Sequence, residues 1–254
     1  MKYVRVAIIV ASIGLCATQA APAGSQPLDD AAPTTRDDIR DCNNAYTHEN
    51  MERTITACTN LFGVLPKYAA DGLYLNRGVA HMDAKQFDEA LADFNAALEL
   101  SPNDIGMLHE RGNLYEEIGK FDDAIADANL ALEVQPNSAL SLSDRCRSRA
   151  EADKDLDAAL DDCNRALDLD PSDHPGWRAL VYLRMGKYPE ALADYDVAIR
   201  MYPKSHYFWF GRGIVKLRMG DTVGGNSDIA AAEAIRPDVK AIFVLYGITS
   251  QNGE

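Results

Sequence analysis

Apolar residues recur along this chain at the spacing of an amphipathic α-helix, in a long series of segments of similar length. Segments such as ALADFNAALELSP, AIADANLALEVQP, ALDDCNRALDLDP and ALADYDVAIRMYP place apolar residues three or four positions apart. Short turns such as GKF, GKY and GDT separate neighbouring segments. The pattern predicts an all-α protein in which helices follow one another in pairs.

A proline closes each predicted pair of helices, and these prolines recur at a nearly constant interval. They are Pro66, Pro102, Pro136, Pro171, Pro203 and Pro237, separated by 36, 34, 35, 32 and 34 residues. Such a period indicates a repeat protein in which each repeat is one supersecondary unit. Because a lone helical hairpin cannot bury its apolar face, we expect successive hairpins to stack on one another.

The chain resembles the tetratricopeptide repeat (TPR) family from about Thr35 to Asp238. The matching residues are Tyr74, Gly78, Ala90, Phe94, Ala97 and Pro102 in the second repeat, Gly112, Tyr115, Gly119, Phe121, Ala124, Ala131 and Pro136 in the third, and Trp177, Leu180, Tyr188, Ala191, Tyr195, Ala198 and Pro203 in the fifth. The resemblance implies a right-handed α-solenoid of six hairpins, at residues 35–70, 71–104, 105–138, 139–173, 174–205 and 206–238. Residues 239–254 would follow as a capping helix and tail.

The first 23 residues have the features of a secretory signal peptide. Lys2 and Arg5 precede an apolar run over residues 6–17, and cleavage is expected after Ala20 or Ala23. This run is shorter than the roughly 20 apolar residues that span a bilayer. We therefore expect a periplasmic or extracellular protein with no stable membrane span once the signal is removed.

An alternative for the same segment is a lipid anchor on Cys16, although Leu15 stands where lipoprotein processing prefers a small residue. Residues 24–38 are rich in Ala, Pro, Ser, Thr and Asp, and this composition predicts a flexible linker.

Charge and motifs exclude several classes of function. The net charge of −14 repels phosphate backbones and argues against nucleic-acid binding. The histidines are scattered, and no GxSxG, HExxH or GxGxxG motif occurs, so no catalytic, cofactor or metal site is predicted. GDTVGGNS at residues 220–227 lacks the lysine of a phosphate-binding loop, and DKDLD at residues 153–157 lacks the glycine of a calcium loop. Both are predicted to be turns.

Four cysteines of the predicted mature chain occupy equivalent places in two repeats. Cys58 and Cys163 each lie eight residues before a repeat-closing proline, and Cys42 and Cys146 precede them by 16 and 17 residues. Other repeats hold glycine at the first place and residues such as Phe94 or Tyr195 at the second. Facing sites on a tight hairpin suit the Cα separation that a disulfide needs. Of three possible connectivities we predict Cys42–Cys58 and Cys146–Cys163.

Arginine and aspartate recur at a second pair of facing places. The members are Arg77, Arg111, Arg145 and Arg212 on the first helices, and Asp93, Asp127, Asp162, Asp194 and Asp228 on the second helices. Pairing within each repeat leaves one mismatch, Leu180 against Asp194, and predicts structural ion pairs.

By resemblance to the family, the first helices line a concave groove that binds a peptide or a partner protein. The predicted groove residues are Asn76, His109, Glu110, Asn113, Arg147, Arg178, Tyr182, Tyr207, Phe210 and Ile214. The middle of this groove is acidic and its C-terminal end is aromatic, so the expected ligand has a basic part and an apolar anchor. The alternative is that the chain's own last helix covers the aromatic end.

These observations predict a non-enzymatic, exported scaffold for protein–protein interaction. A lipid-anchored subunit of an envelope assembly complex and an enzyme hidden on the solenoid are the alternatives. The sequence does not indicate the oligomeric state.

Overall fold

A computed structural model describes residues 33–47, 50–171 and 175–249, and within these ranges the chain forms thirteen α-helices and no β-strand. The helices are α1 (Pro33–Asn43), α2 (Met51–Leu61), α3 (Ala70–Asp83), α4 (Phe87–Leu100), α5 (Ile105–Glu117), α6 (Phe121–Val134), α7 (Ala139–Glu151), α8 (Leu156–Leu169), α9 (Pro175–Arg184), α10 (Tyr188–Met201), α11 (His206–Arg218), α12 (Thr222–Ile235) and α13 (Val239–Leu245). Short 3₁₀ turns lie at Ala45–Thr47 and Lys67–Ala69. None of the helices described has the length and apolar character of a membrane span.

Helices α1 to α12 follow one another as six pairs, which agrees with the all-α repeat fold predicted from the sequence. The predicted signal peptide, Cys16, His48 and His174 lie outside the described residues. One boundary is wrong: α1 begins at Pro33, so residues 33–38 are helical and do not belong to a flexible linker.

The chain divides into two compact units, one ending at Leu114 and one beginning at Tyr115. In the first unit, a small core surrounds Cys42, Cys58, Leu61 and Leu73. In the second unit, a much larger core runs from Cys146 in α7 to Ile248 beyond α13. Burial of these apolar side chains is the main stabilising term in each unit.

Left-handed residues turn the chain between the two helices of a hairpin. Gly119, Gly186 and Gly220 have φ values of 74°, 71° and 88°, a conformation that glycine adopts without a steric penalty. The fourth hairpin differs, because Asp153 and Asp155 both have positive φ values, of 52° and 48°. The extra turn residue accounts for its one-residue-longer cysteine spacing.

Candidate functional site

The four cysteines are paired inside hairpins. Cys42 of α1 is joined to Cys58 of α2 with a Cα–Cα distance of 4.8 Å, and Cys146 of α7 to Cys163 of α8 at 5.4 Å. All four side chains are buried, with at most 3% exposure. In both hairpins the bond therefore lies inside the contact between the two helices.

The same place in the second and sixth hairpins holds a glycine that faces a large residue. A Cβ atom added to Gly78 would lie 2.7 Å from Cε1 of Phe94, and one added to Gly213 would lie 2.8 Å from Cγ1 of Ile229. These distances are shorter than van der Waals contact, so the helices approach this closely only because the side chain is absent. A disulfide takes the place of this close packing in the first and fourth hairpins.

Arginine–aspartate pairs join the two helices of the second, fourth and sixth hairpins through forked hydrogen bonds. Arg77 donates to both carboxylate oxygens of Asp93 at 2.8 and 2.6 Å, and Arg145 does so to Asp162 at 2.8 and 2.7 Å. Arg212 donates to Asp228 in the same way. These three predicted pairs are therefore present, and the pair of Arg111 with Asp127 stays a prediction.

The fifth hairpin also has this pair, and the predicted mismatch at Leu180 is wrong. Arg178 donates to the two carboxylate oxygens of Asp194 at 2.7 and 2.9 Å. Arg178 precedes Asp194 by 16 residues, the same interval as in Arg77–Asp93. The arginine of the fifth hairpin thus lies two residues before Leu180, the position expected for it. Arg178 is thus a structural residue of the hairpin, and its role in the groove stays a prediction.

A second hydrogen bond from each arginine reaches the preceding hairpin. Arg145 Nη1 donates to Asn129 at 2.9 Å, Arg178 Nη1 to Asn164 at 3.0 Å, and Arg212 Nη1 to Asp196 at 2.7 Å. In the first unit, Arg77 and Arg111 donate in the same way to Thr59 and Asn95. The acceptor lies two residues after the aspartate position, in the segments DFN, DAN, DCN and DYD. Sequence analysis missed this signal, which links neighbouring hairpins.

In the first unit, half of the predicted groove residues are buried. Asn76 and Glu110 are 3% and 5% exposed, so neither offers its side chain freely to a ligand. His109 and Asn113 are half-buried, and their side chains are hydrogen bonded at 3.0 Å. His109 and Asn113 are the predicted groove residues of this unit that remain accessible on α5.

In the second unit, Arg147 and Tyr182 are held by neighbouring side chains. Arg147 forms an ion pair with Glu116, and its guanidinium lies 5.0 Å from the centre of the Trp177 ring. Tyr182 is half-buried between Arg178 and Lys187, at 5.9 and 6.0 Å from its ring centre.

The aromatic end of the predicted groove is covered by α13. Phe243 of α13 packs against Phe210 with ring centroids 4.5 Å apart and lies 6.5 Å from Tyr207. Phe210 and Ile214 are 2% and 0% exposed as a result of this and the surrounding packing. Tyr207, Phe210 and Ile214 are therefore not an open docking surface in this structure, and the alternative, coverage by the chain's own last helix, is the arrangement found.

Polar contacts hold the end of the same helix. Arg184 donates through Nη2 to the carbonyl oxygen of Tyr246, and through Nε to Ala150 at 2.9 Å. The Tyr246 hydroxyl is hydrogen bonded to Glu151, and its ring lies 5.8 Å from Phe121. We call the surface lined by Phe121, Glu151, Arg184, Tyr207 and Phe210 the C-terminal groove, and residues 236–249 the tail.

Burial changes the acid–base properties of this groove. Burial raises the pKa of Glu151 to about 7, against an opposing effect of Arg147. Burial also raises the pKa of Tyr246 above its usual range, and that of Tyr207 to about 12. His206 changes in the opposite sense, because burial and then Arg236 lower its pKa to about 4. Glu151 Oε2 has no hydrogen-bond partner among the residues that the structure describes.

Among the described side chains, no group of three or more His, Cys, Asp or Glu is arranged to hold a metal ion.

Sequence profiles of the tetratricopeptide repeat match residues 73–104, 109–174 and 178–223, together more than half of the chain. The chain therefore belongs to the tetratricopeptide repeat family. No curated protein matches it at a significant level.

Solved structures show the same fold at low sequence identity. A tetratricopeptide repeat protein from Parabacteroides merdae is 18% identical, with a TM-score of 0.64 over 84% of this chain and 88% of its own. The thermophilic TPR protein TTC0263 from Thermus thermophilus is 19% identical, with a TM-score of 0.60 over 70% of this chain and 97% of its own. MamA from Desulfovibrio magneticus is 15% identical, with a TM-score of 0.50 over 69% of this chain and 98% of its own.

Proposed function

We propose that this TPR protein is a non-enzymatic scaffold that binds a peptide or partner protein and works outside the cytoplasm, in the periplasm or after secretion. The succession of TPR hairpins supports the binding role, since the repeats of this family generally present their first helices to protein partners. The partner has a basic part, which the net charge of −14 favours through long-range attraction.

The paired cysteines support the location. Two disulfides inside hairpins persist in an oxidising compartment, whereas cytosolic thiols are kept reduced. The basic and apolar N-terminal residues supply the export signal. The mass of the mature N-terminus tests this part of the proposal: a free Ala21 or Gly24 fits a soluble exported protein, and an acylated Cys16 a lipid-anchored one.

The first-unit face of α5 is the proposed contact for the partner, because His109 and Asn113 are accessible there. A photo-crosslinking amino acid at position 109 tests this in cells that export the full chain. Position 223 is the matched control, since Val223 is 84% exposed on a second helix, α12. We expect one dominant protein adduct from position 109 and none of the same mass from position 223. Equal adducts from both positions, or none from either, would contradict the scaffold assignment.

A further inference from the structure

The tail lies in the C-terminal groove as a ligand would. Its buried residues are Val239, Phe243, Tyr246 and Ile248, at 0%, 2%, 7% and 5% exposure, whereas Val244 and Leu245 on the opposite side are 54% and 50% exposed. Val239, Phe243 and Tyr246 recur at helical spacing along one face, and Ile248 follows beyond the end of the helix. This is the arrangement of an amphipathic helix with its apolar face in a hydrophobic groove.

The groove recognises specific chemical features of the tail. Two aromatic side chains three positions apart, Phe243 and Tyr246, fill the apolar part against Phe210 and Phe121. Arg184 binds the carbonyl oxygen at the end of the helix, where unpaired carbonyls attract a cation. Upstream, Arg236 donates to Glu117 at 3.0 Å. From its N-terminal to its C-terminal end, the tail therefore presents to the groove a basic residue, a pair of aromatic residues and the C-terminal end of a helix.

The attachment of the tail is suited to release. Helix α13 has seven residues, too few to be stable as a helix without tertiary contacts. Arg236, Pro237 and Asp238 alone connect it to α12, so it can leave the groove without unfolding a hairpin. Glu151 Oε2 stays without a hydrogen-bond partner in the described residues when the tail is bound, and such an atom costs free energy. A ligand with an additional donor at this point would fit the groove better than the tail does.

We propose that the C-terminal groove binds an amphipathic helix of a partner protein carrying an aromatic pair three positions apart and an upstream basic residue, and that the tail is an internal competitor which this helix displaces. The inference rests on the proposed scaffold function and adds the chemistry of the ligand and the regulation of the site. Any ligand of this groove must overcome the contacts of the tail, so the apparent affinity of the full chain is lower than that of the empty groove.

The first test measures binding of a fluorescent peptide with the sequence of residues 236–249 to the full chain. A Phe243→Ala/Tyr246→Ala variant weakens the internal competitor and leaves every groove residue in place. We expect it to bind the peptide at least tenfold more tightly than the wild-type chain does. Val244→Ala, on the exposed side of the same helix, should bind the peptide as the wild type does. A peptide with alanine at the positions of Phe243 and Tyr246 should not bind.

The second test uses the wild-type chain and keeps the proposal testable if the double variant does not fold. Hydrogen exchange of residues 239–248 is measured with and without excess unlabelled peptide. Displacement predicts faster exchange in this segment alone, with the protection of the hairpins unchanged. Unchanged protection of the tail, together with equal affinities of the wild type and the double variant, would overturn the proposal. A dimer that exchanges tails but does not bind free peptide would also overturn it, by assigning the groove to a second copy of the chain.

These outcomes are independent of the crosslink from position 109, which lies in the first unit. A failed peptide experiment together with a specific adduct at position 109 would leave the scaffold function standing and remove only this ligand.

Discussion

Arg178 of α9 joins two neighbouring hairpins with a single guanidinium group. It donates to both carboxylate oxygens of Asp194 in its own hairpin, and to Asn164 of the preceding hairpin at 3.0 Å. Asp194 is 9% exposed, so its charge would be costly without this partner. The planar fork of arginine suits this double role, which lysine could not fill in the same way.

Replacing Asp194 with alanine should lower the free energy of unfolding by about 2 kcal/mol, because the guanidinium loses a charged partner in a partly buried site. A double-mutant cycle with Arg178→Ala, measured by urea unfolding, should give a coupling energy of about 1–2 kcal/mol. The exposed pair of Lys154 with Asp122 is the control, and it should show little or no coupling. Equal coupling in the two pairs would contradict a special role for the buried pairs.

The two disulfides should leave no free thiol in the unfolded, unreduced mature protein. Each closes a loop of 16 or 17 residues, for which chain entropy predicts a stabilisation of about 3 kcal/mol. We therefore expect Cys146→Ser/Cys163→Ser to lower the free energy of unfolding by about that amount. Thiol titration and urea unfolding check both statements. Four reactive thiols, or a peptide map that joins Cys42 to Cys146, would contradict the pairing.

Adding a methyl group at equivalent glycines of two adjacent hairpins should have opposite effects. Gly78→Ala forces Phe94 to move and should destabilise the protein by about 1–3 kcal/mol. No atom lies within 4 Å of a Cβ added at Gly112, so Gly112→Ala should stabilise its helix by up to about 1 kcal/mol. Thermal unfolding of both variants tests this, and a loss of stability of the same size at both sites would refute the packing argument.

Glu151 should make the protein less stable as the pH rises. Its folded-state pKa of about 7 exceeds the ordinary value of 4.5, so between these pH values the folded protein holds a proton that the unfolded chain has lost. The free energy of unfolding should then fall by about 3 kcal/mol from pH 4.5 to pH 7 through this group. Arg147, Arg184, Glu117 and Tyr246 act on this carboxyl group, and burial outweighs the two cations.

The Glu151→Gln variant isolates this effect, since glutamine resembles the protonated acid. It should be more stable than the wild type above pH 7 and should match the wild type near pH 4.5. His206 works in the opposite direction, because its lowered pKa removes stability as the pH falls from 6.5 towards 4. His206 is present in both proteins, so its contribution to the free energy of unfolding cancels when the two stability curves are compared. Parallel stability curves for the two proteins would show that Glu151 is ionised in the fold.

The repeat fold could be predicted from sequence because its determinants are local and periodic. The prolines recur at nearly constant intervals, and so do the close-contact residues of the first helices, such as Gly78 and Cys146, and the residues that face them, such as Phe94 and Cys163. The predicted register of the fifth repeat is wrong because this repeat is two residues shorter than the common interval of 34, and the sequence does not mark where those residues are missing. Arg178 follows Pro171 by seven residues, whereas Arg145 follows Pro136 by nine. The two residues are missing from the segment before α9. The interval of 16 residues from Arg178 to Asp194 is unchanged, because the two side chains must still face each other across the antiparallel helices α9 and α10.

The state of the groove was less predictable than the fold. Resemblance to the family predicts that Phe210 and Ile214 face a ligand, but their sequence context does not show what covers them. The apolar character of KAIFVLYGI suits a cap, a dimer surface or a partner site equally well. Its actual place depends on contacts with Phe121 and Glu151, more than 90 residues earlier in the chain. No periodic pattern encodes such a contact.

The tail follows the hairpins in the sequence, and this affects the order in which the site is completed. During synthesis the hairpins that carry Phe121, Glu151 and Phe210 emerge before Phe243 and Tyr246 do. A nascent chain therefore passes through a stage in which the residues of the C-terminal groove have been synthesised and those of α13 have not. A partner protein that binds at that stage does not compete with the tail, whereas one that binds later can do so only after the tail has dissociated from the groove.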